Sequence, residues 1–229
     1  MKKMMGFISL ILLVIILLSV WTSNSSYTNK NTALMVVLDP GHGGKDGGAT
    51  GASGQYEKNF TLSVAKKIQK LLEKEPRIEV FMTRTDDSYI SQKSRHRPEY
   101  ANELGADLFL SIHGNTFSDP TVTGTETFYY HKTSRDFAKL IQKHVVEATG
   151  FNDRGIMKKD LFVIKDTKMP AALIEIGYLT NPQDESKMWT DEFQNQVATS
   201  IVEAILEYEV NSEKQGNKKW VGFFDHFPW

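Results

Sequence analysis

The segment LMVVLDPGHGG, residues 34–44, indicates the architecture of this chain. Its first half is a short apolar run that ends at Asp39-Pro40-Gly41, which is the pattern of a buried strand followed by a turn. Its second half is rich in glycine, with five glycines between residues 41 and 48, so the backbone can bend tightly there. The segment therefore predicts a buried strand whose following loop presents His42 at the carboxyl edge of a sheet.

Strand-like and helix-like patterns alternate along the rest of the chain. Leu62, Ala65 and Ile68 recur at helical spacing on a helix that begins near Glu57 and ends before Pro76. Periodicity and turn signals predict further strands at 78–82, 107–112, 124–130, 161–164 and 171–176, and helices near 98–104, 137–145 and 192–208. This alternation predicts an α/β fold: a single three-layer domain with a mostly parallel sheet of about six strands and helices on both faces.

The first 21 residues have the pattern of an export signal or a membrane anchor. Lys2 and Lys3 precede residues 4–21, a run without charge, and a polar segment follows. A spanning helix needs about 17–25 residues, and no small-x-small cleavage site is evident, so the sequence favours an uncleaved anchor with the rest of the chain outside the cytoplasm. Beyond it we expect a linker at 22–32, a globular domain at 33–210 and an aromatic tail at 211–229.

Charge and composition exclude several classes of function. Lys plus Arg is 27 and Asp plus Glu is 28, which leaves no basic excess for binding nucleic acid. The chain has no cysteine, which excludes disulfides, thiolate zinc sites, iron–sulfur clusters and a cysteine nucleophile. Any metal ion must therefore be held by histidine and carboxylate.

Two histidines are expected at the same edge of the sheet. His42 follows the first strand, and His113 closes the strand around Phe109-Leu110-Ser111-Ile112. The glycine loop matches neither the dinucleotide nor the P-loop pattern. Each histidine alone is compatible with an ordinary structural role. Together at matching strand ends they suggest zinc, for which imidazole is a common ligand.

Two glutamates complete the candidate site. Glu57 opens the first helix, where the helix dipole alone would stabilise it; beside two histidines it becomes a candidate third ligand, and two histidines plus a carboxylate with an open position are typical of catalytic zinc. Glu175 lies inside the apolar strand Ala172-Leu173-Ile174-Glu175-Ile176. A buried carboxylate without a partner is costly, so we expect either a wet face on an edge strand or a general base near the metal.

The chain from about residue 34 to residue 208 resembles the zinc-dependent N-acetylmuramoyl-L-alanine amidases of amidase family 3. The matching segments run in the order of that family: VVLDPGHGGKDGG, Glu57-Lys58, FMTRTDD, ADLFLSIHGN, GTETFYY, Arg154-Gly155-Ile156 and PAALIEIGYLTNPQDE. Thr116 replaces an alanine that is frequent in the family, and residues 86–97 also depart from the usual pattern.

The resemblance implies a role for each matching residue. His42, Glu57 and His113 would bind one zinc ion, and Glu175 would be the catalytic acid–base. The substrate would be peptidoglycan, cut between the lactyl group of N-acetylmuramic acid and L-alanine. A short catalytic domain behind an anchor is similar to the sporulation amidases, and it also suits a vegetative wall hydrolase.

Other functions stay open at the level of sequence. The chain could be a module that binds peptidoglycan without cutting it, or another zinc hydrolase of the cell wall, a peptidase or a deacetylase. The short run from Gly114 to Gly124 leaves no room for a blocking helix, so we predict no obligate protein partner. Contact with the membrane is expected only through the N-terminal segment, and the enzyme is expected to act outside the cytoplasm, anchored or secreted.

Overall fold

A computed structural model describes the backbone of residues 33–224. The six strands are β1 (Leu34–Pro40), β2 (Ile78–Met82), β3 (Leu108–Asn115), β4 (Thr125–Tyr129), β5 (Asp153–Lys158) and β6 (Ala171–Tyr178). The helices are α1 (Glu57–Leu72), α2 (His96–Leu104), α3 (Arg135–Thr149), α4 (Phe162–Lys165), α5 (Pro182–Met188) and α6 (Asp191–Phe224). Short 3₁₀ turns lie at Gln92–Ser94 and Lys132–Ser134.

The six strands form one sheet in the order β2-β1-β3-β6-β4-β5. Strands β2, β1, β3 and β6 are parallel, β4 is antiparallel to β6, and β5 is parallel to β4. The sheet is thus mostly parallel, as the sequence predicts. Because β6 lies between β3 and β4, it is an interior strand, and an edge position for Glu175 is excluded.

Helices cover both faces of the sheet, which confirms the predicted three-layer fold. On one face, α1, α3 and α6 pack their apolar stripes on alternate strand residues such as Val36, Leu110 and Ile174. On the other face, α2 and the short α4 pack on Val37 and Phe109. Strand alternation places His113 and Glu175 on this second face near the carboxyl ends of the parallel strands, where Glu57 reaches them from the start of α1.

One prediction of secondary structure is wrong, and one strand of the structure is not predicted. The apolar run at 161–164, predicted as a strand, is the turn of helix α4, in which Val163 and Ile164 are buried and the amides of Ile164 and Lys165 donate to the carbonyl of Leu161. A short apolar run has no periodicity that separates a strand from a helical turn. The sixth strand is instead β5, an edge strand without an apolar pattern, since most of its residues are exposed.

The last helix runs from Asp191 to Phe224, well past its predicted end near residue 208. Within residues 33–224, no helix has the length and hydrophobicity needed to cross a membrane. The predicted signal or anchor at 1–21 and the linker at 22–32 lie outside the described residues, as do the aromatic side chains of the tail.

Candidate active site

The loop after β1 carries His42 in an unusual backbone conformation. His42 has a φ of 63°, in the left-handed region that few residues other than glycine adopt. Two buried guanidinium groups hold this segment: Arg84 donates to the carbonyls of Pro40 and Gly41, and Arg97 donates to those of Pro40 and His42. The cost of the conformation is offset by these charge-assisted hydrogen bonds.

Arg97 is itself fixed by a buried carboxylate at the end of β1. Asp39 accepts hydrogen bonds from Arg97, from Thr83 and from Ser111, at 2.5, 2.6 and 2.7 Å. Burial alone would raise the pKa of Asp39, but the charge of Arg97 and the three hydrogen bonds outweigh it and lower the pKa. The loop that presents His42 is therefore tied to three strands of the sheet.

His42, Glu57 and His113 lie together, as the sequence predicts. Nε2 of His42 is 3.1 Å from Oε2 of Glu57, and Nδ1 of His113 is 2.9 Å from Oε1 of Glu57. The two imidazole rings are 5.0 Å apart and nearly perpendicular, and one ligand atom from each of the three residues lies within 4.8 Å of the others. This donor set, two imidazoles and one carboxylate, suits a zinc ion with an open coordination position.

The close approach of His113 requires a glycine in the loop after β1. A Cβ atom at Gly41 would lie 2.3 Å from Cε1 of His113, well inside the van der Waals contact distance. The ring of His113 thus occupies the space that any side chain at residue 41 would need. Gly41 of the DPGHGG segment therefore allows the loop to pack closely against His113.

Glu57 is held in its charged form by the residues around it. Its side chain is buried, and its oxygens also accept hydrogen bonds from the backbone amides of Ala49 and Gly114. Burial would raise the pKa of Glu57, but hydrogen bonds and charge from His113 and His42 lower it strongly. An ionised carboxylate is the form that binds a cation.

Asp46 orients the imidazole of His42, a role that was not predicted from the sequence. Its Oδ1 is 3.0 Å from Nδ1 of His42, on the side of the ring opposite to Glu57. A carboxylate on the outer nitrogen of a ligating histidine fixes the tautomer and makes the other nitrogen a better ligand. The signal available in the sequence is an aspartate four residues after the histidine in the same glycine-rich loop.

Glu175 lies on β6 directly beside the candidate ligands. In the strand register it is opposite His113 on β3 and opposite Glu126 on β4, so the three side chains project from the same face of the sheet. Its Oε2 is shielded from solvent and has no hydrogen-bond partner among the described residues. Burial, with added repulsion from Glu57 and Glu126, raises the pKa of Glu175 well above its ordinary value.

Glu126 is a second buried carboxylate of the site that the sequence analysis did not single out. Its Oε1 accepts hydrogen bonds from Nδ2 of Asn115 and from the hydroxyl of Tyr178, at 2.5 and 2.8 Å. Nε of Arg154 lies 3.9 Å from the same oxygen. Glu126 is thus paired, whereas its neighbour Glu175 keeps an oxygen without a partner among the described residues, so Glu175 is the candidate for proton transfer.

A cavity of about 210 Å³ opens beside the histidines on the same face of the sheet. His42, His113 and Arg97 form one side of it, and apolar side chains such as Ile90 and Phe162 form another. The arrangement can hold a metal ion, place a small group next to it, and supply a carboxyl group for proton transfer. These are the requirements of metal-assisted hydrolysis.

Comparisons with known proteins agree with this geometry. The family model described as N-acetylmuramoyl-L-alanine amidase, Amidase_3, matches residues 36–207. The catalytic domain of the amidase CwlV from Bacillus (Paenibacillus) polymyxa var. colistinus is similar, with 43% identity, a TM-score of 0.74, and coverage of 76% of this chain and 97% of that one. The CwlD amidase from Clostridioides difficile, solved with the GerS lipoprotein, has 29% identity and a TM-score of 0.71 over 77% of this chain and 98% of that one.

Among curated relatives, the probable cell wall amidase LytH of Staphylococcus aureus is 34% identical over 188 residues, which is 81% of this chain. The match covers 61% of that relative, so this chain spans about three fifths of its length. The family model covers most of the chain and includes all the residues of the candidate site. The chain therefore belongs to the N-acetylmuramoyl-L-alanine amidase family, Amidase_3.

Proposed function

We propose that this chain is a zinc-dependent amidase that hydrolyses the bond between the lactyl group of N-acetylmuramic acid and L-alanine in peptidoglycan. The observation that carries the proposal is a row of side chains at the carboxyl ends of the parallel strands. His42, Glu57 and His113 form a metal-ligand set, and Glu175, with an unpartnered buried oxygen, lies one strand away. Membership of the amidase family supports peptidoglycan as the substrate of these residues.

The chain's own residues have distinct roles in this reaction. His42, Glu57 and His113 would hold the zinc ion, and Asp46 would orient His42. Zinc bound there supplies Lewis-acid polarisation of the lactyl carbonyl and lowers the pKa of a water molecule. Glu175 accepts a proton from the attacking water and returns it to the nitrogen of L-alanine as the carbon–nitrogen bond breaks. The products are a free lactyl carboxylate and a stem peptide with a new amino terminus.

The raised pKa of Glu175 suits its proposed role as the proton donor to the nitrogen of L-alanine. A carboxyl group that holds its proton near neutral pH can donate it to a leaving amine. A cation at the three ligands would oppose the effect of burial and favour the charged form of Glu175. Burial and a bound cation would therefore act on the pKa of Glu175 in opposite directions.

The proposed place of action is outside the cytoplasm, at the cell wall. This agrees with a relative named as a cell wall amidase and with the sequence of residues 1–21. We propose that these residues anchor the domain to the membrane. The catalytic domain is expected to work without a protein partner, although the CwlD amidase has been solved with a lipoprotein; a role in sporulation is a further proposal that rests on resemblance.

Digestion of purified peptidoglycan by the zinc-loaded 229-residue chain tests the proposed reaction. Mass analysis of the products should show stem peptides with new L-alanine amino termini, lost on chelation and restored by zinc. Release of peptide fragments cut within the stem, or of acetate, would instead establish a peptidase or a deacetylase. Binding to the wall without any product would support the non-cutting module and contradict the amidase.

A further inference from the structure

The residues of the candidate site follow one another across successive strands of the sheet. The metal-ligand cluster lies at β1 and β3, Glu175 follows on β6, Glu126 on β4, and then β5 forms the edge. In the proposed reaction the carbonyl carbon belongs at the ligand cluster and the leaving nitrogen at Glu175. The peptide attached to that nitrogen therefore continues past Glu175 over β4, towards β5.

Two cationic side chains lie at that end of the row. Nζ of Lys159, directly after β5, is 3.8 Å from the ring centroid of Phe128 on β4. The guanidinium of Arg154 lies 5.3 Å from the ring centroid of Tyr178 and near Glu126. Lys159 is close enough to Glu175 that its charge lowers the pKa of that group, against the stronger effect of burial. Arg154 therefore lies near Glu126, and Lys159 lies near Glu175.

Lys159 and Arg154 are at most weakly paired with carboxylates of the described residues, so their positive charges can bind an anionic ligand. Within the described part of the chain, no carboxylate forms a salt bridge with Lys159, and the Arg154–Glu126 pair is long at 3.9 Å. Glu126 already accepts two shorter hydrogen bonds from Asn115 and Tyr178. Both cationic side chains are exposed, and Met157, register partner of Phe128, adds an exposed apolar side chain beside them.

The other end of the site has a different character. The cavity beside His42 and His113 includes Ile90, Leu161 and Phe162, and its buried cation, Arg97, is already paired with Asp39. The glycan of peptidoglycan is largely uncharged near the scissile bond, whereas the stem peptide is acidic. Charge complementarity therefore favours the stem peptide at the β5 end of the row.

We propose that Lys159 and Arg154 form a subsite for the α-carboxylate of the second stem residue, the acidic residue after L-alanine. Consecutive Cα atoms are about 3.8 Å apart, so this carboxylate lies about 6 Å along the peptide from the scissile nitrogen. Phe128 on β4 is the diagonal neighbour of Glu175, two residues past its register partner Glu126. Such diagonal pairs are about 7–8 Å apart, within the combined reach of this carboxylate and of the Lys159 side chain that lies over Phe128. The subsite distinguishes a free carboxylate from its amide; its place in the reaction rests on the proposed function.

Equilibrium binding of two matched muropeptides tests this subsite without turnover. The probes are MurNAc-L-Ala-D-Glu and MurNAc-L-Ala-D-isoGln, which differ only in the α-carboxylate. The zinc-loaded 229-residue chain carries Glu175→Gln, so that it does not cut them, and dissociation constants are measured by calorimetry at low and high salt. We expect about fivefold tighter binding of the acid form at low salt, and a smaller ratio at high salt because ions screen an exposed pair.

Variants in the same Glu175→Gln background assign the preference to this surface. The quantity compared is the dissociation constant of the isoGln probe divided by that of the Glu probe. Lys159→Gln and Arg154→Gln should each lower this ratio. Lys159→Glu should bring it to one or below, and Lys159→Arg should retain it. Lys139→Gln is the matched control, because it removes an equally exposed positive charge from α3 on the other face of the sheet. Unchanged melting temperatures would show that all these variants are folded.

Two results would overturn the subsite. One is a ratio near one in the parent chain, including the case in which neither probe binds detectably. The other is an acid preference that Lys159→Gln and Arg154→Gln leave unchanged. Failure of the proposed function is seen separately, as an absence of new L-alanine amino termini when the chain with native Glu175 is given peptidoglycan.

Discussion

The two central carboxylates of the site differ in the partners that surround them. Glu126 accepts hydrogen bonds from Asn115 and Tyr178, whereas Glu175, its register partner, has an oxygen with no partner among the described residues. Leaving a buried polar atom unpaired costs about 1–3 kcal/mol. Such a cost is typical of residues that are kept for chemistry.

Replacing Glu175 by glutamine should remove proton transfer and leave the ligand cluster intact. We expect kcat on peptidoglycan to fall by about 10³-fold, in the usual range for a general acid–base, with the zinc content unchanged. Metal analysis and product release measure the two quantities on the same preparation. Near-full turnover in this variant would remove Glu175 from the mechanism, and loss of zinc would show that the residue acts on the metal instead.

Asp46 should matter for metal affinity more than for folding. Asp46→Ala removes the carboxylate on Nδ1 of His42, and we expect zinc to bind about 10–100-fold more weakly, the usual effect of losing such a partner. Competition with a chromophoric chelator measures the affinity. Asp119, another aspartate with its own local hydrogen bonds, provides the control as Asp119→Ala. Equal zinc affinities in the two variants would contradict the orienting role.

At the scale of elements, the end of β1 depends on a buried ion pair. Asp39 and Arg97 connect β1, β3 and the start of α2, and Arg97 in turn holds the carbonyl of His42. A carboxylate with a lowered pKa contributes stability that is present above its ordinary value, about pH 4. That contribution is lost as pH falls through the lower pKa of the folded state.

Acid unfolding should report this contribution. The free energy of unfolding of the chain, measured with urea between pH 7 and pH 3, should fall more steeply below about pH 4 than that of Asp39→Asn. The variant should also be less stable at pH 7 by about 3–5 kcal/mol, because it leaves Arg97 buried without its charge partner. Asp136→Asn, at an exposed position on α3, is the control. Parallel acid profiles for the chain and Asp39→Asn would contradict this account.

The elements that the sequence predicted correctly are those with strong patterns. β1, β3 and β6 are apolar runs ended by turn residues, and α1 has a clear apolar stripe, so their positions followed from periodicity. β5 could not be recognised, because an exposed edge strand has neither an apolar run nor alternation. The helical turn at 162–165 was mistaken for a strand, since only its packing on β3 and β6 separates the two structures.

The residues of the candidate site also differ in how strongly the sequence points to them. His42, Glu57, His113 and Glu175 are visible in the sequence because they interrupt or end patterned elements. Asp46 and Glu126 were missed, since an aspartate in a glycine loop and a glutamate beside threonines are ordinary in a sequence. The role of Glu126 depends on strand order, which places β4 next to β6 although residues 130–170 separate them in the chain.

At the scale of the whole molecule, a bound metal ion should stabilise the fold. The three candidate ligands come from the loop after β1, from α1 and from β3, so an unfolded chain does not bring them together. Zinc at about 100 times its dissociation constant should add about 2.7 kcal/mol to the free energy of unfolding. That is about 5–10 °C in Tm for a domain of this size.

Thermal unfolding with zinc and with a chelator measures this effect. The difference in Tm should vanish in His113→Gln, which loses a ligand, and persist in His96→Gln, whose histidine lies on α2 away from the cluster. An equal shift in both variants would mean that zinc binds elsewhere on the chain.

The order of the strands also has a consequence for synthesis. β6 is the last of the described strands along the chain, yet it lies in the interior of the sheet between β3 and β4 and positions Glu175. A nascent chain that ends before residue 171 already contains all three candidate ligands but lacks Glu175. The ribosome therefore completes the ligand set before it adds the carboxylate proposed for proton transfer, and a product terminated in between lacks that group.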